Sequence, residues 1–383
     1  MISEFRARFN RDFTAEKYQR FLLEIDRRSG AHVNFRNSET PCFFPAELLA
    51  KMVRYGQELT HQLIGNAEYM ETSLAEIPPA FHVPGDSAHP LFLQADFGID
   101  ANMEPKLVEI QGFPSLYAYQ PMLAEAYRDV YGLDPNLRHE FMDDYLPAFR
   151  KAILGDHDPE NVILMEIDPE EQKTLPDFRL TERHCGIKTV SITNVVKRGN
   201  RLYYRGGRGE TPIYRIYNRA IVDEIVRKGV RPGFDFRDDV DVEWAGHPNW
   251  YFRISKFSLP YLKHVSVPKT WFLNQMHSIP VDLENYVLKP LYSFAGLGVV
   301  IGPSAEQVRA VDPSLYILQE RVNFAPFVET PFGLTKTEVR VMYIWLDELR
   351  AVTTIIRMGR GKMMGVDQNR DMEWVGASAG FFQ

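Results

Sequence analysis

A chain of 383 residues, 45% hydrophobic and 25% charged, is long enough for two or three domains and has a globular composition. Its formal net charge of −7 argues against a general binder of nucleic acid or anionic membrane. Two cysteines, Cys42 and Cys185, supply neither a zinc spacing nor a disulfide framework, and no uncharged stretch is long enough to span a membrane. The N-terminus carries charges throughout and no apolar signal core, so a cytoplasmic location is expected.

Residues 1–30 place Phe5, Phe9, Phe13, Tyr18, Phe21 and Leu22 near helical spacing. Pro45 to about Ile64 reads as a second helix, with Leu48, Leu49, Met52, Val53, Leu59 and Leu63 on its apolar stripe. Residues 77–90 are rich in Pro and Gly and read as loop. Leu91–Asp100 and Lys106–Pro114 follow as an antiparallel pair of strands, then helices over 120–152. A β-α-β order comes next: strand Asn161–Ile167, helix Pro169–Cys185, strands Thr189–Thr193, Arg201–Tyr204 and Ile213–Asn218, and helix Ala220–Arg227. Residues 235–250 read as an inter-domain loop. Ile254–Lys263 reads as a short helix, Val265–Leu273 as a strand entry and Tyr286–Ile301 as a hairpin. A helix opened by a capping box at Ser304, a strand Leu315–Val322 and a hairpin of Glu338–Trp345 with Leu349–Arg357 complete the order. The expected class is α+β with an inserted small α/β unit, divided as 1–154, 155–250 and 251–383.

Within this frame a few residues carry chemistry. Glu109 and Gln111 are two apart on one strand, so both face one side, and together they could offer oxygens to a hard cation such as magnesium. A solvated polar strand face is the plain alternative. In the Tyr286–Ile301 hairpin, Ser293, Ala295, Gly296 and Gly298 form a small-residue loop whose N–H groups could fold over an anion, with Lys289 at the end of the first strand. The plain alternative there is an edge strand blunted by Lys289-Pro290. Arg215 and Arg219 fall in or just past a strand of the α/β unit, where ligands collect in open sheets; two solvated arginines explain them equally well. Residues 351–365 hold Arg357, Arg360 and Lys362 and no acid, which suits a lid closing on an anion or simply a mobile loop.

The running order of Lys256, Pro268-Lys-Thr, Val287-Leu-Lys-Pro290, Ile317-Leu-Gln-Glu-Arg-Val322 and Glu338-Val-Arg340 resembles the nucleotide site of ATP-grasp enzymes. The resemblance covers about 251–345. It implies an ATP-grasp fold in which Lys256 and Lys289 contact nucleotide phosphates under Ser293, Gly296 and Gly298. Gln319, Glu320 and Arg321 would form the adenine hinge. Glu338 would bind metal and Arg340 face phosphate or substrate. The family's acid-x-Asn metal strand has its one candidate upstream, at Glu109-Ile-Gln111, as in the circularly permuted relatives, eukaryotic-type glutathione synthetase and glutathionylspermidine-synthetase-like proteins. Those proteins also place an aspartate-containing strand early, as Ala95-Asp96-Phe97 stands here. Their small substrate domain ends in a Tyr-x-Arg-type strand, and they close with a Gly/Ala-rich loop that Gly376-Ala377-Ser378-Ala-Gly380 resembles. Position 111 is Gln where the family has Asn, and Gln94 stands where glutathione synthetase has a substrate arginine.

The resemblance implies an ATP-dependent carboxylate–amine ligase acting through an acyl phosphate on a small carboxylate and a small amine. ATP and magnesium would be held by Lys256, Lys289, Glu109, Gln111 and Glu338. Arg340 and Arg219 would steady the acyl phosphate, Arg215 would meet substrate, and a lid of Arg357, Arg360, Lys362 and Gly376–Ser378 would exclude water. No nucleic acid or membrane partner is implied, and a homodimer is compatible with it. The rival is an ATP-grasp-shaped protein that binds nucleotide or a partner without turnover. A serine hydrolase is not expected, because its Gly-x-Ser-x-Gly motif needs a following helix and a downstream histidine, and Gly376-Ala-Ser-Ala-Gly380 is followed here by Phe381, Phe382 and Gln383.

Overall fold

A computed structural model describes residues 1–206, 209–293 and 296–383. It is a mixed α+β protein with several antiparallel sheets, and among the described residues no helix is long and apolar enough to cross a membrane. The first thirty residues form two helices, Ser3–Asp12 and Ala15–Ser29, because Thr14 turns extended and caps the second by accepting from the Lys17 N–H. Helix Ala46–Ile64 forms as the spacing predicts. It crosses the main sheet at Gly56, where any Cβ would collide with the Tyr343 hydroxyl, which donates to Val53 O at 2.9 Å.

The main sheet is antiparallel and central. Strand Gly333–Trp345 pairs on one side with Phe92–Ile99, itself paired with Pro105–Gln111, and on the other with Leu349–Gly359, which is followed by Gly376–Ser378. Alternation assigns its two faces. Leu93, Ala95, Phe97, Ile99, Val339, Val341 and Tyr343 bury one face against helix Ala46–Ile64. The other face is apolar at one end, where Phe92, Met342, Ile344 and Ile355 pack under helix Tyr119–Tyr131, and charged at the other.

A second, four-stranded antiparallel sheet runs in the order Thr270–Phe272, Tyr316–Glu320, Tyr286–Pro290, Val300–Ile301. The α/β unit holds a parallel sheet ordered Glu243–Ala245, Arg215–Asn218, Val162–Glu166, Lys188–Ser191. The expected strand Ile213–Asn218 is two strands that part at Tyr214. Gly209–Ile213 belongs to a separate three-stranded antiparallel sheet. The expected 235–250 loop contributes the edge strand Glu243–Ala245.

One expectation is corrected outright. Gly376, Ala377 and Ser378 are a buried strand of the main sheet, with the Ser378 hydroxyl donating to Thr40 O at 2.7 Å, and not a closing loop. The chain end Gly380–Phe382 pairs in parallel with Cys42–Phe44, so backbone hydrogen bonds tie this segment on both sides.

Candidate active site

The charged end of the main sheet is a ladder of cross-strand partners. Asp96 stands opposite Glu109 on one neighbour and opposite Arg340 on the other, while Glu338 stands opposite Arg357. Directly opposed residues share a face, so period-two alternation gathers five charges from four strands. Asp96 accepts from Arg340 Nε at 2.5 Å and Nη2 at 2.6 Å, and from Arg357 Nη2 at 3.2 Å. Arg357 also pairs with Glu338, and Arg340 Nη2 lies 3.5 Å from Glu109. Gln94 accepts from Arg340 Nη1 at 3.0 Å.

A one-residue shift in register, between the pairs Asp96–Glu109 and Phe97–Leu107, leaves Val108 without a partner. The bulge frees the Val108 carbonyl, which accepts from the Lys289 ammonium at 2.8 Å. Lys289 comes from the second sheet, whose facing side carries Val287, Lys289, Ile301 and Gln319 in register. Lys256 opens a 3-10 turn capped by Ser255; its ammonium donates to Ser293 O at 2.7 Å and sits 3.5 Å from Glu109. Two sheets and one turn thus converge on a single cavity of about 430 Å³.

Eight lysines and arginines line that cavity against four acids: Lys173, Lys256, Lys289, Arg321, Lys336, Arg340, Arg357 and Lys362 against Asp96, Glu109, Glu338 and Asp367. In a chain of net charge −7 this is a local positive excess, which favours an anionic occupant. Burial raises the Glu338 carboxyl to about 7, with Asp96 and Glu109 adding and Arg357 and Arg340 opposing. For Glu109 burial also pushes upward, but Lys256, Arg340, Lys289 and Arg357 outweigh it and hold the group at about 2. Burial lowers Lys289 to about 8, aided by Lys256 and resisted by Glu109, Glu338 and Asp96. Two carboxyls on one surface are thereby driven apart in acidity, a pattern typical of functional sites.

The structure brings together Glu109, Gln111, Glu338, Lys256, Lys289, Ser293, Gly296, Gln319, Arg321, Arg340, Arg357 and Lys362 around the cavity. It leaves others outside. Gly298 takes φ +74° in the loop but does not line the cavity, and Ala295 lies outside the described residues. The Glu320 carboxylate turns back to accept from the Lys269 N–H at 3.3 Å. Arg215 clamps helix Tyr145–Leu154 through Ile153 O, at 2.9 Å, and pairs with Glu243, so it is a structural residue. Arg219 is buried between the Phe113 and Phe178 rings and donates to Pro114 O, away from the cavity surface. Arg340, expected to face phosphate or substrate, lines the cavity with its guanidinium held by Asp96 and Gln94. Arg357 is a strand residue of the ion ladder rather than part of a lid.

The lid-like element is the loop 360–373. The Asn369 side chain knots it, accepting from the Gly361 N–H at 3.0 Å and the Arg360 N–H at 3.2 Å and donating to Met363 O at 2.8 Å and Gly365 O at 2.9 Å. Arg360 anchors the base through Glu373 O at 2.6 Å, so it does not face the cavity. Lys173 pairs with Asp367 at 2.9 Å across the rim. Replacing Asn369 with alanine leaves these backbone groups without partners. Tryptic cleavage at Arg360, Lys362 and Arg370 should quicken about tenfold or more at unchanged global stability. Unchanged cleavage would show that the loop is ordered by something else.

Four charged cavity residues, Asp96, Lys336, Lys173 and Asp367, escaped the sequence reading as site residues. Asp96 was noted only as part of a strand. Lys336 shares the alternation Lys336, Glu338, Arg340 and could have been found by it. Lys173 had no local signal, because its position follows from how the α/β unit sits on the sheet. Among the described residues no group of three or more His, Cys, Asp and Glu side chains is arranged to hold a metal. No protein-family model matches the chain, and no curated protein matches it.

Proposed function

We propose that this cavity is the active site of an ATP-dependent carboxylate–amine ligase of ATP-grasp type, related to the circularly permuted glutathione-synthetase-like proteins. One observation carries the reading. Glu109, Lys256, Lys289 and Glu338, far apart in sequence, meet around one cavity with a cationic excess, as a triphosphate site requires. Two buried polar groups on its wall, Gln319 Nε2 and Ser293 Oγ, have no partner among the described residues, which suits a polar ligand.

Amide formation needs an activated carboxylate, because oxide is too poor a leaving group. Transfer of the γ-phosphoryl to the substrate carboxylate gives an acyl phosphate, and the amine then displaces phosphate. The protein's part is alignment and charge neutralisation. Lys289 and Lys256 neutralise phosphate oxygens. Arg357, held between Glu338 and Asp96, keeps the surface beside them positive. The loop 360–373 keeps water from the acyl phosphate. Glu109, Glu338 and the amide oxygen of Gln111 are hard donors suited to magnesium, which takes one or two carboxylates together with phosphates and so needs no closed protein cage. When bound it would neutralise phosphate charge.

The test is phosphate release from ATP and magnesium over a panel of small carboxylates and amines. Amine-dependent release supports a ligase. Saturable ATP binding with no such release supports the non-enzymatic rival. Glu109→Ala should raise the magnesium needed for half-maximal ATP binding by at least the roughly 10–100-fold that outer-sphere partners are worth. A wild-type metal titration would remove Glu109 from the site.

A further inference from the structure

The Gln319 side chain is almost fully buried on strand Tyr316–Glu320. Its Oε1 accepts from the Lys289 ammonium at 2.6 Å, so the amide is oriented with Nε2 one amide width away from that cation. Among the described residues Nε2 has no partner, although the residue lines the cavity. The surrounding floor of the second sheet is aliphatic, formed by Val287, Val299 and Ile301, and offers nothing to satisfy it. The ammonium itself has three donors, of which two are engaged, by Gln319 and Val108. Among the described residues, one N–H of Lys289 and the Nε2–H bonds of Gln319 are therefore left without acceptors, side by side.

We infer that Gln319 is a second anion-reading residue: its Oε1 positions the Lys289 ammonium, and its Nε2 donates to the same phosphate oxygen that Lys289 binds. This deepens the nucleotide reading above and rests on it. The assignment is to a phosphate rather than to a base because the donor adjoins the cation. An amide suits the place where a carboxylate does not. Glutamate would satisfy Lys289 equally well, but it would remove the donor and set a negative charge against the phosphate.

The test is calorimetric binding of ATP, inorganic triphosphate and adenosine to wild type, Gln319→Leu and Gln319→Glu. Circular dichroism of the unliganded proteins confirms the fold. Loss of hydrogen bonds to a charged group should weaken ATP and triphosphate by roughly 10–100-fold in the leucine variant, with adenosine unchanged. The glutamate variant, which keeps the size and the Lys289 contact, should lose at least as much. Binding of triphosphate within twofold of wild type in both variants overturns the role of Gln319. Parallel losses for ATP and adenosine overturn the phosphate assignment. Failure of wild type to bind ATP or triphosphate at all removes the site reading beneath it.

Discussion

Replacing Lys289 with alanine should abolish ATP-dependent thermal stabilisation while leaving the unliganded fold intact. The side chain is 5% exposed, and among the described residues no carboxylate lies within ion-pair distance of its ammonium. Its partners, Val108 O and Gln319 Oε1, are neutral. A buried cation whose hydrogen-bond partners are all neutral oxygens, with carboxylates only farther off, costs the empty protein stability and awaits an anion. Loss of its charged hydrogen bond to phosphate should weaken ATP by roughly 10–100-fold or more, and the ligand-induced shift in melting falls with it. The pH dependence has a definite sign. Burial puts the Lys289 pKa at about 8, below its ordinary 10.5, so the group is neutral in the fold across the window between these values. Bound phosphate favours the charged form, so wild-type affinity should fall as pH rises past about 8, by up to about tenfold per pH unit. The unliganded wild type should lose stability as pH falls from 10.5 through 8, and the alanine variant should not. Equal stabilisation of both proteins by ATP at pH 7 would sink the phosphate role.

Local pattern was enough for the strands that build the site. Period-two spacing puts Glu109 and Gln111 on one face, and Tyr286–Pro290 and Tyr316–Glu320 declare themselves by their β-prone runs. Local pattern could not show which partners those faces meet. Asp96 reads as a lone acid in an apolar strand; its meaning comes from Arg340, 244 residues along the chain. The bulge at Val108 depends on pairing register and leaves no trace in Lys106–Gln111 itself. Arg219 looked available because it follows a strand end, but a cleft between the Phe113 and Phe178 rings takes it into the core. Gly376–Ser378 looked like a flexible loop because its residues are small. Small residues also let the chain end lie close over its neighbours: any Cβ on Gly376 would collide with Arg36 O. Composition alone does not separate those two uses of glycine.

Asp96→Ala should be the substitution most costly to the fold. The carboxylate is fully buried and accepts three hydrogen bonds from two guanidinium groups: from Nε and Nη2 of Arg340 and Nη2 of Arg357. Removing it changes the cluster around the cavity from three acids facing Lys256, Lys289, Arg340 and Arg357 to two. Breaking one partner of a buried ion network leaves uncompensated charge, at a cost of about 3–5 kcal/mol, more than deleting the contact itself would suggest. Urea unfolding of the unliganded protein measures this directly. Arg340→Met in the same chain should restore part of the loss, because it removes the charge that Asp96 leaves unpaired. Inorganic triphosphate should stabilise Asp96→Ala more than wild type, since the extra positive charge can be met by the ligand. A loss below about 1 kcal/mol would place the pair in the range of solvent-exposed salt bridges. The ladder would then be a hydrated surface feature, and the electrostatic account of the cavity would fail with it.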